Sequence, residues 1–288
     1  MFKPSKCCII GIPDDQGVIH VGGRVGASRG PAAFRQIFSK FRGKFLIPSQ
    51  VRDLGDVASL SGDISANHRE ASHAVRDAHL QFPLSVVVGG GHDHGFSHLV
   101  GVSEALTRSR PRLRLGCLNI DAHLDVRKPN PWISSGSPFY LALESGVLAP
   151  KRFVEFGIQS HCNSPHLWEF IELKKVKVVP FQRLRCGKAI PTFKRELQKL
   201  ATLCDAIVVS LDLDAAASAY SPGVSAPQSE GFTAMEIVEM AEISGAQKKV
   251  VSLGIFELNP EHDLQNASAR LAATAAYHFI ESTLFRKS

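Results

Sequence analysis

No stretch of this 288-residue chain stays apolar for the roughly 20 residues a membrane-spanning helix requires, which excludes an integral helical membrane protein. The opening M-F-K-P-S-K-C-C-I-I-G-I-P lacks the long apolar segment and cleavage site of a signal peptide, and reads instead as a first strand. The six cysteines (Cys7, Cys8, Cys117, Cys162, Cys186, Cys204) include no C-x-x-C pair, and several sit in apolar runs where a thiol acts as a small hydrophobe. That argues for a reducing, cytoplasmic setting. Charge of one sign is scarce too: 33 basic against 27 acidic residues leave a net +6. The basic clusters Arg108–Arg114 and Lys174–Lys177 carry no interleaved aromatics, so they read as solvated edges and not as a nucleic-acid surface. A mild positive field suits a small anionic substrate. No linker, low-complexity segment or internal repeat divides the chain, so one domain over 1–288 is expected.

Short apolar runs alternate with segments of helical period. The runs predict strands at Cys7–Ile12, Val51–Leu54, Ser85–Val88, Leu113–Ile120, Phe153–Gly157, Val176–Val179, Ala206–Leu213 and Val250–Phe256. Helices are expected at Pro31–Phe41, Ser65–His79, Gly95–Arg108, Ser137–Ser145, Pro165–Leu173, Thr192–Leu203, Thr233–Ile243 and Asn266–Leu284. Runs such as S-V-V-V and A-I-V-V-S-L are apolar on both faces, as in strands covered by helices on both sides. The expected fold is therefore α/β, a three-layer α/β/α arrangement with a mostly parallel central sheet.

Such sheets bind ligands beyond the carboxyl ends of their strands, where three polar clusters fall. The first is Gly89-Gly90-Gly91-His92-Asp93-His94, whose glycines match no phosphate-loop or dinucleotide spacing. The second, D-A-H-L-D, alternates Asp121, His123 and Asp125 so that the three share one side. The third, S-L-D-L-D, does the same with Asp212 and Asp214. A histidine after a glycine turn can be a capping or packing residue, and D-A-H-L-D alone could be a polar loop. Four carboxylates gathered at one sheet end, however, would repel unless a cation neutralised them. The set of His92, Asp121, His123, Asp125, Asp212 and Asp214 holds hard oxygen donors, two imidazoles and no thiolate. It suits manganese-type ions better than a structural zinc, and four negative charges match two dications better than one.

With these motifs in this order, the chain resembles the ureohydrolase (arginase–agmatinase) superfamily. The likeness extends to Gly23–Arg35 (G-R-V-G-A-S-R-G-P-A-A-F-R), Asp53–Val57 (D-L-G-D-V) and Gly254–Pro260 (G-I-F-E-L-N-P), covering nearly the whole chain. The resemblance implies two Mn²⁺ ions, one held by His92, Asp121, Asp125 and Asp212, the other by His123, Asp121, Asp212 and Asp214. It also implies hydrolysis of a planar amidine or guanidine by a metal-bridging hydroxide, Glu257 as the substrate-binding carboxylate, and a homo-oligomer.

Within the superfamily, G-R-V-G-A, S-S-G-S-P-F and S-P-G-V-S-A-P are most similar to formimidoylglutamase, which implies cleavage of N-formimidoyl-L-glutamate to L-glutamate and formamide in histidine degradation. Ser135 stands where arginases and agmatinases usually carry histidine, and Asp214 is followed by A-A-A-S and not by a further aspartate. Both departures count against those two branches and leave Asp125 as the expected proton carrier. Arg127, two residues past Asp125, could bind a substrate carboxylate or be an ordinary surface arginine. Gln159 and Asn163, after another strand, are candidates for the substrate's far end, whereas His161 and Cys162 are expected to be structural. Three alternatives stay open: an arginase, agmatinase or other guanidino-acid hydrolase; a non-catalytic relative; and a one-zinc deacetylase of related architecture.

Overall fold

The structure is a computed structural model, and it describes residues 6–47, 51–58, 60 and 62–286. Eight strands form one sheet: β1 (Cys7–Ile12), β2 (Arg52–Asp56), β3 (Leu84–Gly89), β4 (Leu115–Ile120), β5 (Phe153–Ile158), β6 (Lys177–Pro180), β7 (Ala206–Asp212) and β8 (Val250–Phe256). Their order is β2-β1-β3-β8-β7-β4-β5-β6, and every neighbouring pair is parallel. The helices are α1 (Gln16–His20), α2 (Gly30–Phe38), α3 (Ile64–Gln81), α4 (His94–Ser109), α5 (Pro138–Glu144), α6 (Pro165–Lys174), α7 (Ala189–Leu203), α8 (Ala234–Ala246) and α9 (Ala267–Thr283).

Strand alternation divides the core in two. Val86 and Val88 of β3, with Leu118 and Ile120 of β4, face Phe34, Phe193, Met240 and Phe279 from α2, α7, α8 and α9. Val87 and Cys117 point the other way, toward Val75, Leu99, Phe139 and Ile171 from α3, α4, α5 and α6. Strands apolar on both faces thus carry a helical layer on each side, giving the expected three layers. Helix starts follow local chemistry. The Asp63 carboxylate accepts from the Ser65 and Ala66 amides ahead of α3, and Thr233 with Glu236 closes a capping box on α8.

One topological feature places the site. After β3 the chain crosses over to β4, and β8 and β7 later fill the gap between them. Four adjacent strands, β3-β8-β7-β4, therefore end side by side at the carboxyl edge, where β3, β7 and β4 carry the three polar clusters and β8 leads into Glu257.

Candidate metal centre

Each motif lies at the carboxyl end of its strand. Beyond β3, the chain doubles back against the exit of β1: the Gly90 amide donates to Ile12 O at 2.8 Å and that of Gly91 to Asp14 O at 2.9 Å. A Cβ on Gly90 would sit 2.0 Å from the Asp14 carbonyl oxygen, so only glycine permits this approach. The turn delivers His92, whose ring is wholly buried against Phe139 and Phe256. Its Nδ1 lies 3.1 Å from Asp121 Oδ2, 2.9 Å from Asp125 Oδ2 and 3.0 Å from Asp212 Oδ2. Beside them, His123 Nδ1 is 2.9 Å from Asp214 Oδ2 and 3.6 Å from Asp121 Oδ1. The six predicted ligands thus converge as two adjoining donor groups sharing Asp121.

These residues fit a pair of cations. His92 Nδ1 is buried yet makes no aligned hydrogen bond, although three carboxylates surround it. Its other nitrogen, Nε2, is 2.9 Å from Ser210 Oγ. A proton on Nε2 donated to Ser210 leaves the Nδ1 lone pair facing the carboxylates, the tautomer a metal ligand needs. Asp214 Oδ1 is likewise buried without a partner.

The electrostatics carry the same signature. Burial, with repulsion from Asp214 and Asp121, pushes Asp212 well above the carboxylate range. Burial and the Asp121 charge raise Asp125 to about 6. Asp121 goes the other way: despite burial, the His123 and His92 imidazoles hold it below its usual value. A cluster of this charge favours either protons or cations, and dications would displace the protons.

A cavity of about 360 Å³ opens onto the cluster. Glu257 lies at its inner wall, with its backbone held at φ +66° by a bond from its amide to Gly90 O at 2.8 Å. Its Oε1 accepts the His92 amide at 2.9 Å, while the buried Oε2 has no partner. Burial raises this carboxyl to about 8. Asp125 also adopts a positive φ, +47°, so two non-glycine residues in this conformation, each costing roughly 1–3 kcal/mol, face one cavity. Arg127 and Ser135 line the cavity as well; Arg127 is exposed and its guanidinium pairs with no described acid.

Not every expected contact is brought to the cavity. Gln159 Nε2 donates to Glu230 O at 2.8 Å, and Asn163 bonds Leu124 N, Ala122 O and Gln159 O at 2.8–3.0 Å. Neither side chain lines the cavity: Asn163 braces the segment that carries Asp121–Asp125, and Gln159 ties its loop to Glu230. Cys162, expected to be structural, lines the cavity instead. A short 3-10 turn over Ser160–Cys162 reverses the facing that simple strand alternation suggests.

Sequence reasoning missed Ser210, and also the buried pair Asn119 and Glu155. Asn119 Nδ2 spans Asp121 Oδ2 at 3.1 Å and Glu155 Oε2 at 3.0 Å. A polar residue interrupting an otherwise apolar strand was the available signal, two residues before a ligand for Asn119 and Ser210. The cavity also takes Val21–Gly23 and Ser225–Ala226, which have no chemical signature in sequence.

The arginase family model matches residues 5–281. The chain is 31% identical over 278 residues to a Staphylococcus carnosus formimidoylglutamase, covering 96% of this chain and 87% of that one. It is 33% identical over 289 residues to a Rhodococcus opacus formimidoylglutamase, covering 96% and 86%. The crystal structure of Trypanosoma cruzi formiminoglutamase with Mn²⁺ superposes with a TM-score of 0.86 at 28% identity, covering 98% of this chain and 95% of that one. Sheet order, donor convergence and these matches lead to one assignment: the chain belongs to the arginase family.

Proposed function

We propose that the protein is a binuclear manganese hydrolase that cleaves N-formimidoyl-L-glutamate to L-glutamate and formamide. The observation that carries this reading is the arrangement of one cavity: a six-residue donor cage, the unpartnered Glu257 Oε2 on the inner wall and an unpaired Arg127. The similar chains from Staphylococcus carnosus and Rhodococcus opacus, named formimidoylglutamase, support the same substrate.

His92, Asp121, Asp125 and Asp212 would hold one ion, and His123, Asp121, Asp212 and Asp214 the other. When bound, such a pair supplies Lewis acidity and a water acidic enough to react near neutral pH. The chain's own residues do the rest. Glu257 Oε2 accepts an N–H of the cationic amidine, and the substrate's charge draws the Glu257 carboxyl back toward its ionised form. Arg127 takes a glutamate carboxylate, which orients the C–N bond. Asp125 passes a proton to the departing glutamate nitrogen. Ser135 leaves space beside Arg127 where an imidazole would compete for that carboxylate.

The substrate has two carboxylates against one amidinium, net −1, whereas arginine is +1 and agmatine +2. An unpaired arginine on the wall favours the first. No alternative reading has an observation of its own: all six ligand positions hold competent donors, against a non-catalytic relative, and one zinc would leave carboxylates unbalanced. We further infer a cytoplasmic homo-oligomer serving histidine degradation, in line with the free cysteines and with the superfamily resemblance. The test is the purified, manganese-loaded protein supplied separately with N-formimidoyl-L-glutamate, arginine and agmatine, with formamide and urea both measured. Formamide from the first substrate is expected; urea alone would end the substrate assignment.

A further inference from the structure

Behind the glycine turn lies a second group of metal-type donors that the proposed reaction does not use. His68 comes from α3, Asp93 from the turn, His94 from the first residue of α4, and Asp14 from the exit of β1. His68 Nε2 is 2.9 Å from Asp93 Oδ2, and His94 Nε2 is 3.0 Å from Asp14 Oδ2 and 3.8 Å from Asp93 Oδ2. Asp93 and His94 are fully buried, and Asp14 and His68 are each 5% exposed. None of the four lines the substrate cavity.

We propose that His68, Asp93 and His94 form a third divalent-cation site suited to zinc, with the Asp14 carboxylate, 3.0 Å from His94 Nε2, as the nearest further anion.

Spacing is the first argument. Donors bound tetrahedrally at 2.0–2.1 Å lie roughly 3.3 Å apart. The donor atoms of His68, Asp93 and His94 all fall within 4.8 Å of one another, with separations of 2.9 and 3.8 Å about Asp93. The catalytic cage in the same molecule shows the same range, 2.9–3.6 Å.

Charge is the second argument. Two carboxylates and two neutral imidazoles around a dication sum to zero, which a site this buried requires.

The third argument is the supporting shell. Ser97 Oγ lies 3.0 Å from His68 Nδ1 and 3.2 Å from His94 Nδ1. With an ion on both Nε2 atoms, each ring keeps its Nδ1 proton and donates it to Ser97, whose oxygen has two lone pairs. Asn67 Nδ2 and the Gln16 amide bond Asp14 at 2.9 and 3.0 Å, fixing that carboxylate as second-shell partners do.

Such an ion would clamp three elements, α3, α4 and the turn that delivers His92, beside the β1 exit that carries Asp14. From that exit the chain runs through α1 to Val21–Gly23 on the cavity wall, and Asp15 Oδ2 holds the Gly26 and Ser28 amides. The site would thus steady one wall of the substrate cavity while contributing no group to it.

The proposal stands apart from the substrate assignment, and the experiment keeps the two separate. Full-length protein is saturated with Mn²⁺ and Zn²⁺, freed of loose ions by gel filtration, and its metal counted by mass spectrometry. Crystals are measured at the zinc and manganese absorption edges. The expected result is three ions per chain, with an anomalous zinc peak among His68, Asp93 and His94. His68→Gln should lower the count to two and leave the spin-coupled manganese signal in place. A wild-type count that stops at two, with no peak among these side chains, overturns the proposal even if the variant fails to fold. Loss of the catalytic pair alone would leave this peak present and remove the other two.

Discussion

Ser210→Ala tests the link between tautomer and metal affinity. Ser210 sits two residues before Asp212 in β7, 2% exposed, and its Oγ lies 2.9 Å from His92 Nε2. Alanine adds no bulk, so the backbone of a central strand has no reason to move. What changes is the proton on Nε2, which loses its acceptor in a buried site. An unsatisfied buried donor costs about 1–3 kcal/mol, and losing the outer partner of a metal-bound histidine typically weakens metal binding about 10- to 100-fold. At 1.4 kcal/mol per factor of ten, that is about 1.4–2.8 kcal/mol, consistent with the first figure. Only the ion on His92 should suffer, because His123 reaches Asp214 by a separate route. A Mn²⁺ titration followed by activity and by electron paramagnetic resonance should then separate into two steps, the weaker shifted by that factor. A single transition at the wild-type concentration would refute the reasoning, because Ser210 would then not set the ring's proton.

Arg127→Ala should raise KM for N-formimidoyl-L-glutamate at least tenfold with metal content unchanged, and identical steady-state kinetics would remove its carboxylate role. Glu257→Gln keeps the shape of the inner wall but cannot supply the anionic acceptor; hydrogen bonds to charged groups contribute about 1.5–3 kcal/mol, so kcat/KM should fall roughly 10- to 150-fold. A loss below threefold would place the amidine elsewhere. Stability should fall with acid through a second buried network, His79···Ser85···Ser252···His98, linked at 2.6–2.7 Å. Burial lowers His79 to about 4 and His98 to about 3, so the folded chain keeps both rings neutral while the unfolded chain protonates them below about 6.5. The unfolded state then binds more protons, so this stability is fully present above pH 6.5 and lost below it. Near pH 5 the loss approaches roughly 3 kcal/mol per pH unit for two protons. Urea midpoints at pH 7, 6 and 5 should show a shallower slope for His79→Gln; parallel slopes would exclude these histidines as the cause.

What could be read from the sequence, and what could not, follows from where the physics is local. Strands buried on both faces are predominantly apolar, and so β1 and β8 were placed residue for residue and the other six within about two positions. The five-residue α1 escaped: Gln16–His20 has no side-chain cap and no periodic apolar stripe, and it exists because the β1 exit holds it. Ligands at strand ends were legible for a stricter reason. Four carboxylates directly after apolar strands have nowhere to go but the sheet edge, and there they need a cation. Residues with several outlets were harder to place. Gln159 and Asn163 each donate to backbone carbonyls away from the cavity, and Cys162 lines the cavity from a turn whose direction no alternation rule supplies. Asn119, Glu155 and Ser210 lay in view as single polar letters inside strands; their meaning depends on which strands become neighbours, a long-range fact absent from local patterns. The register pairs Asn119 with both Glu155 and Ser210 across β5-β4-β7, so the polar letters of three strands form one row beneath the ligands. A buried row of this kind costs stability unless it serves the charges above it. Apolar replacements at Asn119 and Glu155 together should therefore preserve the fold while weakening manganese binding, whereas a stability gain with metal affinity intact would show the row to be packing alone.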